Sequence, residues 1–404
     1  MSLSIRRSLP TLGALGLLGP MGNDIFLPAM PIMAAWFLAP GTAIQFALGA
    51  MSIGMASGQL AVGVIADRVG RREPMLLGAL LATASAFGAA LAPNVTVLTG
   101  ATFLLGLGAA SGMVVGRAVV SDIATGAEAR RAFAILGALT GIGPVLGPLL
   151  GTLLLSLWGW QSTFITLGIM GAAVTIAVLI QIPETLPVEL RHSNRYREYP
   201  RLMLAILRTP SYLVNASFIW IGFAMIFGYI SASSFVVQSI LGWTAAQYAL
   251  VFAINGASMA LVGVLTGVLA HRVGARTLLG TAIALQLCAA VMLLASVVTA
   301  TISPFLLLPA MWCIVVGMGL IYGPATSNAL TEMQGRSGTA LALMGAIQFA
   351  IGGVVAPIVG LAGELSIVPL SALAVVCAGT NTLTFALGRR YTGERNSPNL
   401  DIRR

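Results

Sequence analysis

The sequence predicts an all-α membrane protein of twelve transmembrane helices in two pseudo-symmetric six-helix bundles. Three observations carry this. First, 58% of the 404 residues are hydrophobic and only 8% are charged, against roughly 25% charged in soluble proteins. A soluble core cannot hide so much apolar surface, whereas a bilayer can, at about 20 apolar residues per spanning helix. Second, polar breaks divide the chain into about twelve segments of that kind. Third, GVIADRVGRR, from Gly63, returns as GVLAHRVGAR, from Gly267, with seven of ten positions identical. The copies fall in the same loop of each half, as parallel repeats about an axis along the membrane normal would place them.

In order, helices 1 to 6 are predicted at roughly 9–32, 42–66, 74–92, 97–120, 131–156 and 162–182. Helices 7 to 12 are predicted at roughly 211–238, 246–270, 277–299, 305–328, 338–362 and 367–388. The stretch 183–210 is the longest internal polar run, with both charge signs and several prolines, and reads as a linker. The expected organisation is an N-terminal bundle over 1–182, a cytoplasmic linker over 183–210, a C-terminal bundle over 211–390 and a cytoplasmic tail over 391–404.

A net charge of +9 raises the question of nucleic acid, but the placement of charge answers it. All 21 basic residues are arginine, and they fall in the termini and alternate loops, with Arg117 near the inner end of helix 4. The opposite loops, around Pro40, Pro93, Trp158, Gly242, Ser303 and Glu364, have none. That is the positive-inside asymmetry. It predicts both termini in the cytoplasm and assigns the basic balance to insertion in a bilayer rather than to a nucleic-acid partner. The first helix reads as retained, since no small-residue cleavage site closes a short apolar run.

Three cysteines in apolar segments, an odd number, argue against a disulfide framework and read as small core residues. Trp36, Trp158, Trp160 and Trp243 lie near the outer loops and read as interface anchors. His192 and His271 fall in separate inner loops and form no metal-ligand pattern. No nucleophile–histidine–acid constellation marks an enzyme, and no cofactor is implied. Without lysine there is no Walker loop, so active transport would draw on an ion gradient.

Asp24 stands out against this background, inside the first apolar segment in GLLGPMGNDIFLPAMP. Placing an Asp at the bilayer centre costs about 2.5–3.5 kcal/mol on insertion scales. A carboxyl removed from water favours its neutral form. The residue is therefore a candidate proton carrier, with a buried structural acid bonded to neighbouring polar groups such as Asn23 as the alternative. Pro20, Pro28 and Pro31 surround it, so helix 1 is expected to bend or break there.

These motifs resemble those of a known family. GVIADRVGRR resembles the loop 2–3 signature of the major facilitator superfamily. NDIFLPAMP, GLGAASGMVVGRAVVSD in helix 4, GIGPVLGPLLG in helix 5, WGWQSTF and IPETLP resemble its drug:proton antiporters. The narrower likeness is to the bicyclomycin-resistance (Bcr/CflA) type, related to the chloramphenicol and florfenicol exporters. It extends weakly through the second half, including FGYISASSFVVQSILGWTAAQYALVFAIN.

The resemblance implies proton coupling at Asp24. It implies an inner gate of Asp67, Arg68, Arg71, Arg72, Arg117 and Asp122, with the loop acid meeting the start of helix 11 near Gly338 and Thr339 and a loop arginine pairing with Asp122. It implies an antiporter motif of Gly137, Gly141, Gly143, Pro144, Gly147, Pro148 and Gly151. One departure is clear: Thr102 and Leu105 stand where related antiporters carry Arg and Gln, so Asp24 lacks the usual cation.

From the residues alone, Asp67 is expected to accept from a helix N-terminus, where the dipole favours an anion. Arg117 has two open readings, snorkelling to the inner interface or pairing with Asp122 or another acid. A cavity for amphiphiles needs aromatic and sulfur-bearing walls with a few hydrogen-bonding groups. Candidates are Met21, Asn23, Phe26, Met113, Trp220, Tyr229, Asn255, Asn328 and Gln348, with Trp312 and Tyr322 beside them.

The expected function is proton-coupled efflux of small amphiphilic drugs by alternating access, by a monomer in a bacterial inner membrane with substrate, protons and lipid as partners. An exporter of a metabolite such as an amino acid or sugar is the alternative within the class. A non-transporting sensor or scaffold is the alternative outside it.

Overall fold

The computed structural model describes residues 5–191, 195–269, 272–333 and 335–392. Among these residues all regular secondary structure is helical, in the expected order. Helices 2 to 6 are Gly41–Val69, Arg72–Ala90, Val95–Ile123, Gly126–Trp158 and Gln161–Gln181. Helix 7 is Pro210–Ser234, continued by a π-type turn over Phe235–Ile240. Helices 8 to 12 are Ala245–Leu269, Ala275–Val298, Pro304–Leu330, Ser337–Val359 and Val368–Leu387. Eleven of these are long and apolar enough to cross a membrane.

The twelfth span is helix 1, and it is divided. An α-helix over Ile5–Asp24 stops at the acid, a 3₁₀ turn covers Leu27–Ala29, and a short helix resumes over Met30–Trp36. Proline has no N–H to give, so Pro28 cannot bond the Asp24 carbonyl and Pro31 cannot bond that of Leu27. In a bilayer such carbonyls need another donor. Helix 7 supplies one to Leu27, and its π-type continuation another to the adjacent Pro28 carbonyl. Ser234 Oγ donates to the Leu27 carbonyl at 2.6 Å and Gln238 Nε2 to that of Pro28 at 3.1 Å.

The stretch between the halves is partly helical, with a 3₁₀ turn over Val188–Leu190 and a helix over Arg195–Leu207 that seats Ile206 in the core. A last short helix, Arg389–Thr392, follows helix 12. The sequence echo has a structural counterpart. Arg72 donates to the Leu179 and Ile182 carbonyls at the inner end of helix 6, at 2.9 and 3.0 Å. Its equivalent Arg276 lies 4.2 Å over the Phe385 ring of helix 12 and bonds Thr392 Oγ1 at 2.5 Å. Each arginine clasps the last helix of its own half.

Some expected placements differ. Trp160 is buried, packed against Phe37 and Phe164 at 5.3 and 6.2 Å, and belongs to the core rather than to the interface. Trp243 is partly buried against the core, while Trp36 and Trp158 are exposed. Cys288 is exposed, whereas Cys313 and Cys377 are buried. Asn94 caps helix 4 by accepting from the Val97 N–H at 3.0 Å. His192, His271 and residues 393–404 lie outside the described residues.

Candidate functional site

Asp24 sits where the break in helix 1 meets the seam between the halves. It is 4% exposed. Helix 5 approaches closely because Gly147 has no side chain. A Cβ there would lie 2.9 Å from Asp24 Cβ, and one at Gly143 would lie 2.8 Å from Pro20 Cβ. Small residues allow this backbone contact in a membrane bundle. From the other half, Tyr229 and Tyr248 are near enough to interact electrostatically with the carboxyl. The Tyr229 oxygen accepts from Asn255 Nδ2 at 3.0 Å, and its ring stacks on Phe252 at 5.7 Å. Tyr248 and Ser233 share a hydroxyl hydrogen bond of 3.1 Å.

No described residue hydrogen-bonds the Asp24 carboxyl, and the neighbouring Asn23 keeps a buried Oδ1 without a partner. Among the described residues, neither Asn23 nor another polar group holds the carboxyl, as the structural-acid alternative would have it. Thr102 lies in helix 4 with its hydroxyl donating to the Ala47 carbonyl at 2.8 Å, and Leu105 faces Gly22. The position of the absent arginine is thus filled by a satisfied hydroxyl and an apolar chain.

The halves are tied at their outer ends. Glu364 accepts from the Gly41 N–H at the start of helix 2. Thr42 Oγ1 donates to the Gly360 carbonyl at 2.7 Å, Gln45 Nε2 to that of Ser231 at 3.1 Å, and Thr152 Oγ1 to that of Ala245 at 3.3 Å. With Ser234 and Gln238, these bonds close the outer side. Toward the inner side the walls part. Gly256 of helix 8 packs on Pro144 and Val145 of helix 5, but Gly137, Gly141, Gly263 and Gly267 have open space around them. Helices 2 and 11 touch at Gly49 and Gly353 and again where Gln59 meets Gly345, while Gly338 meets nothing. Among the described residues, the hydrogen bonds that join the halves therefore lie toward the outer side.

At the inner rim, Arg71 is the hub. Its Nη1 bonds Asp67 at 2.5 Å and its Nε bonds Asp122 at 3.1 Å. The two carboxylates outweigh burial and hold its guanidinium above the ordinary arginine range. Asp122 also accepts from Thr185 Oγ1 at 3.0 Å.

The acid that caps helix 3 is Glu184 rather than Asp67. It accepts from the backbone N–H groups of Arg71, Leu186, Thr185 and Arg72 at 2.8, 2.8, 3.0 and 3.3 Å, with Arg191 Nη2 at 3.7 Å. Burial pushes its pKa up, but these donors prevail and hold it below the usual 4.5. Gly70, at φ +112°, makes room: a Cβ there would fall 2.7 Å from the Glu184 carboxyl carbon. Asp67 turns to Arg71 and has no bond to the Gly338–Thr339 corner among the described residues. Arg68 has interactions of its own.

Arg117 does not pair with Asp122, whose Oδ2 accepts from both Arg71 and Thr185. It is exposed, and Tyr322 of helix 10 lies near it from the other half. Tyr322 in turn accepts from Gln348 Nε2.

Other candidate wall residues divide by place. Met21 and Phe26 are buried, and Phe26 stacks on Phe164 at 5.2 Å. Trp220 donates to the Met344 carbonyl at 3.1 Å within its own half, and Trp312 to Ser258 Oγ at 3.1 Å. Met113 is half-buried beside Gly19, and Asn328 is half-buried with its Nδ2 unpartnered. Glu184, Glu364, Ser234 and Gln238 were not singled out from sequence. The IPETLP motif offered a signal for Glu184, and the FGYISASSFVVQ stretch one for Ser234 and Gln238.

Comparison with known proteins agrees with this architecture. Residues 12–357 match the Major Facilitator Superfamily. An uncharacterized MFS-type transporter of Bacillus subtilis, YdgK, is 32% identical over 378 residues, 93% of each chain. The multidrug resistance protein MdtL of Escherichia coli O157:H7 is 29% identical over 337 residues, 83% of each chain. Among solved structures, a bacterial homolog of the human lysosomal transporter Spinster, inward-facing and unoccupied, superposes with a TM-score of 0.76. It shares 14% identity, over 96% of this chain and 97% of the other.

Proposed function

Because this chain belongs to the Major Facilitator Superfamily, a family of transport proteins rather than enzymes, we propose that it exports small amphiphilic drugs in exchange for protons. The motif resemblance supports the narrower bicyclomycin-resistance type, in a bacterial inner membrane with both termini cytoplasmic. The residues over 1–182 and 211–390 form the two moving bundles. One observation carries the reading: the membrane-embedded acid lies at a helix break, on the seam where the halves must part, with no hydrogen-bond partner that would have to be broken for it to exchange a proton.

In the inward-facing state substrate enters from the cytoplasmic side as Asp24 releases its proton. Parting of the outer bonds then exposes the seam to the outside, where the carboxyl is reprotonated and substrate leaves. A charge crossing 100 mV contributes about 2.3 kcal/mol, so one proton per neutral molecule sustains a concentration ratio of roughly forty- to fiftyfold from voltage alone. The inner cluster of Asp67, Arg71, Asp122 and Glu184 stiffens the N-terminal rim as the halves rock.

The test is Asp24→Asn, which keeps shape and removes the proton site. In proteoliposomes with an imposed proton gradient, the variant should retain the wild-type melting temperature and lose gradient-driven drug efflux and drug-linked proton flux. Undiminished gradient-driven efflux by the folded variant would sink the assignment.

A further inference from the structure

We infer that Arg117 is an anion-recognition residue in the substrate path, and that the protein selects amphiphilic organic carboxylates over neutral molecules of the same shape. This rests on the proposed efflux function and names its substrate class. Four observations lead to it.

The first is the absence of a partner. The acid within one helical turn or so, Asp122, is held by Arg71 and Thr185, and no described carboxylate makes an ion pair with Arg117. A guanidinium among helices is costly without a counter-charge. The second is access. Arg117 is exposed although it sits six residues before the end of helix 4, about 9 Å inside it.

The third is what faces it. The Tyr322 oxygen accepts from Gln348, which leaves the Tyr322 hydroxyl proton free to donate. A guanidinium fork and a phenol donor on opposite walls suit a carboxylate, which accepts from both. The fourth is separation from the proton site. Gly22, two residues before Asp24, packs against Leu105, so Arg117 lies about 18 Å further in along helix 4. A substrate anion on Arg117 does not compete with Asp24 for one charge. The basic inner face also steers anions toward this mouth.

Export of a monoanion against one proton moves two elementary charges down the membrane potential, where a neutral substrate moves one. The same geometry thus gives a carboxylate the stronger electrical drive.

The probes are 1-naphthaleneacetate and its neutral isostere 1-naphthaleneacetamide, with binding measured by equilibrium dialysis to full-length protein in nanodiscs at pH 7.5. No gradient is applied, so the result is independent of proton coupling. Wild type should bind the carboxylate at least about tenfold more tightly than the amide. Arg117→Gln should erase that gap while leaving amide binding unchanged, Arg117→Lys should keep part of it, and Tyr322→Phe should narrow it. Raising salt should narrow it too, a reading on wild type that needs no variant to fold. Equal binding of the two probes, binding of neither, or equal loss of both in Arg117→Gln would overturn the inference. Failure of the Asp24→Asn test with the carboxylate preference intact would overturn the proton-coupled function and leave this site standing.

Discussion

The outer closure can be loosened in a measured way. The perturbation is Glu364→Ala combined with Thr42→Val, which removes two of the bonds joining helix 2 to the helix 11–12 corner. The Thr42 bond to the Gly360 carbonyl, at 2.7 Å between neutral groups, contributes about 1 kcal/mol. The Glu364 bond to the Gly41 N–H is charge-assisted, for which about 1.5–3 kcal/mol is usual. Glu364 is half-exposed, so the lower end applies after solvent screening. The pair shares one corner and the sum, about 2.5 kcal/mol, is an upper figure. It shifts the closed-to-open ratio by on the order of fiftyfold, enough to raise a minor state of about 1% to roughly a third of the population. The assay is a spin-label distance between Leu91 and Phe305, which are 81% and 86% exposed at the outer ends of opposite halves. The labels are placed after replacement of Cys288, Cys313 and Cys377. The wild type should give one short distance, and the double variant should add a longer one. An unchanged distribution in the folded double variant would refute the view that these bonds hold the outer side shut.

Two further outcomes are expected. Gly147→Ala pushes a methyl against Asp24 Cβ at 2.9 Å, an overpacking that costs about 1–3 kcal/mol, whereas Gly137→Ala enters open space and should stay within about 0.5 kcal/mol of wild type; thermal unfolding in detergent should separate them, and equal melting temperatures would count against the close contact. The Glu184 pKa is lowered in the folded protein, so the carboxylate's stabilisation is present above its unfolded value of 4.5 and is lost as pH falls through the folded value. Acid unfolding below about pH 4.5 should therefore be steeper in wild type than in Glu184→Gln, and an identical acid profile would show that the helix 3 cap contributes nothing.

What could be read from sequence depended on how rare each signal is against an apolar background. A carboxylate in a long hydrophobic run is rare, and three prolines around it are visible as breaks before any coordinates exist. Helix 1 is divided at Asp24 for that reason. Twelve spans and their two-fold repetition were equally legible, because bilayer thickness fixes the length of every segment. Glu184 was not legible as a cap, since an acid in a polar loop looks like any solvated charge until the Arg71 and Arg72 N–H groups are seen to converge on it. Trp160 was misplaced because nearness to a loop in sequence does not determine which side of a helix faces lipid. Arg117 could not be settled either. Its significance lies in the acid it does not touch, and only the commitment of Asp122 to Arg71 reveals that.

The bonds between the halves share a chemistry that explains both their silence in the sequence and their use. Five run from a hydroxyl or amide side chain (Thr42, Gln45, Thr152, Ser234, Gln238) to a backbone carbonyl, and the sixth runs from a backbone N–H to Glu364. A carbonyl has no residue identity, so half of each pair leaves no mark in the sequence. The same property makes the closure reversible. Each of the five neutral bonds is worth about 1 kcal/mol, and when the outer ends part, water entering the gap takes over as donor and acceptor at little net loss. A seal of buried ion pairs would instead strand charges on opening, at several kcal/mol for each ion left alone. The chain keeps its compact ionic cluster, Asp67–Arg71–Asp122, inside one half, the body that the proposed cycle moves as a unit. The contacts that must break in every cycle are neutral or singly charged. Replacing Gln45 and Ser231 by an interlocking Arg–Glu pair should for that reason slow exchange between the two faces rather than merely favour one of them.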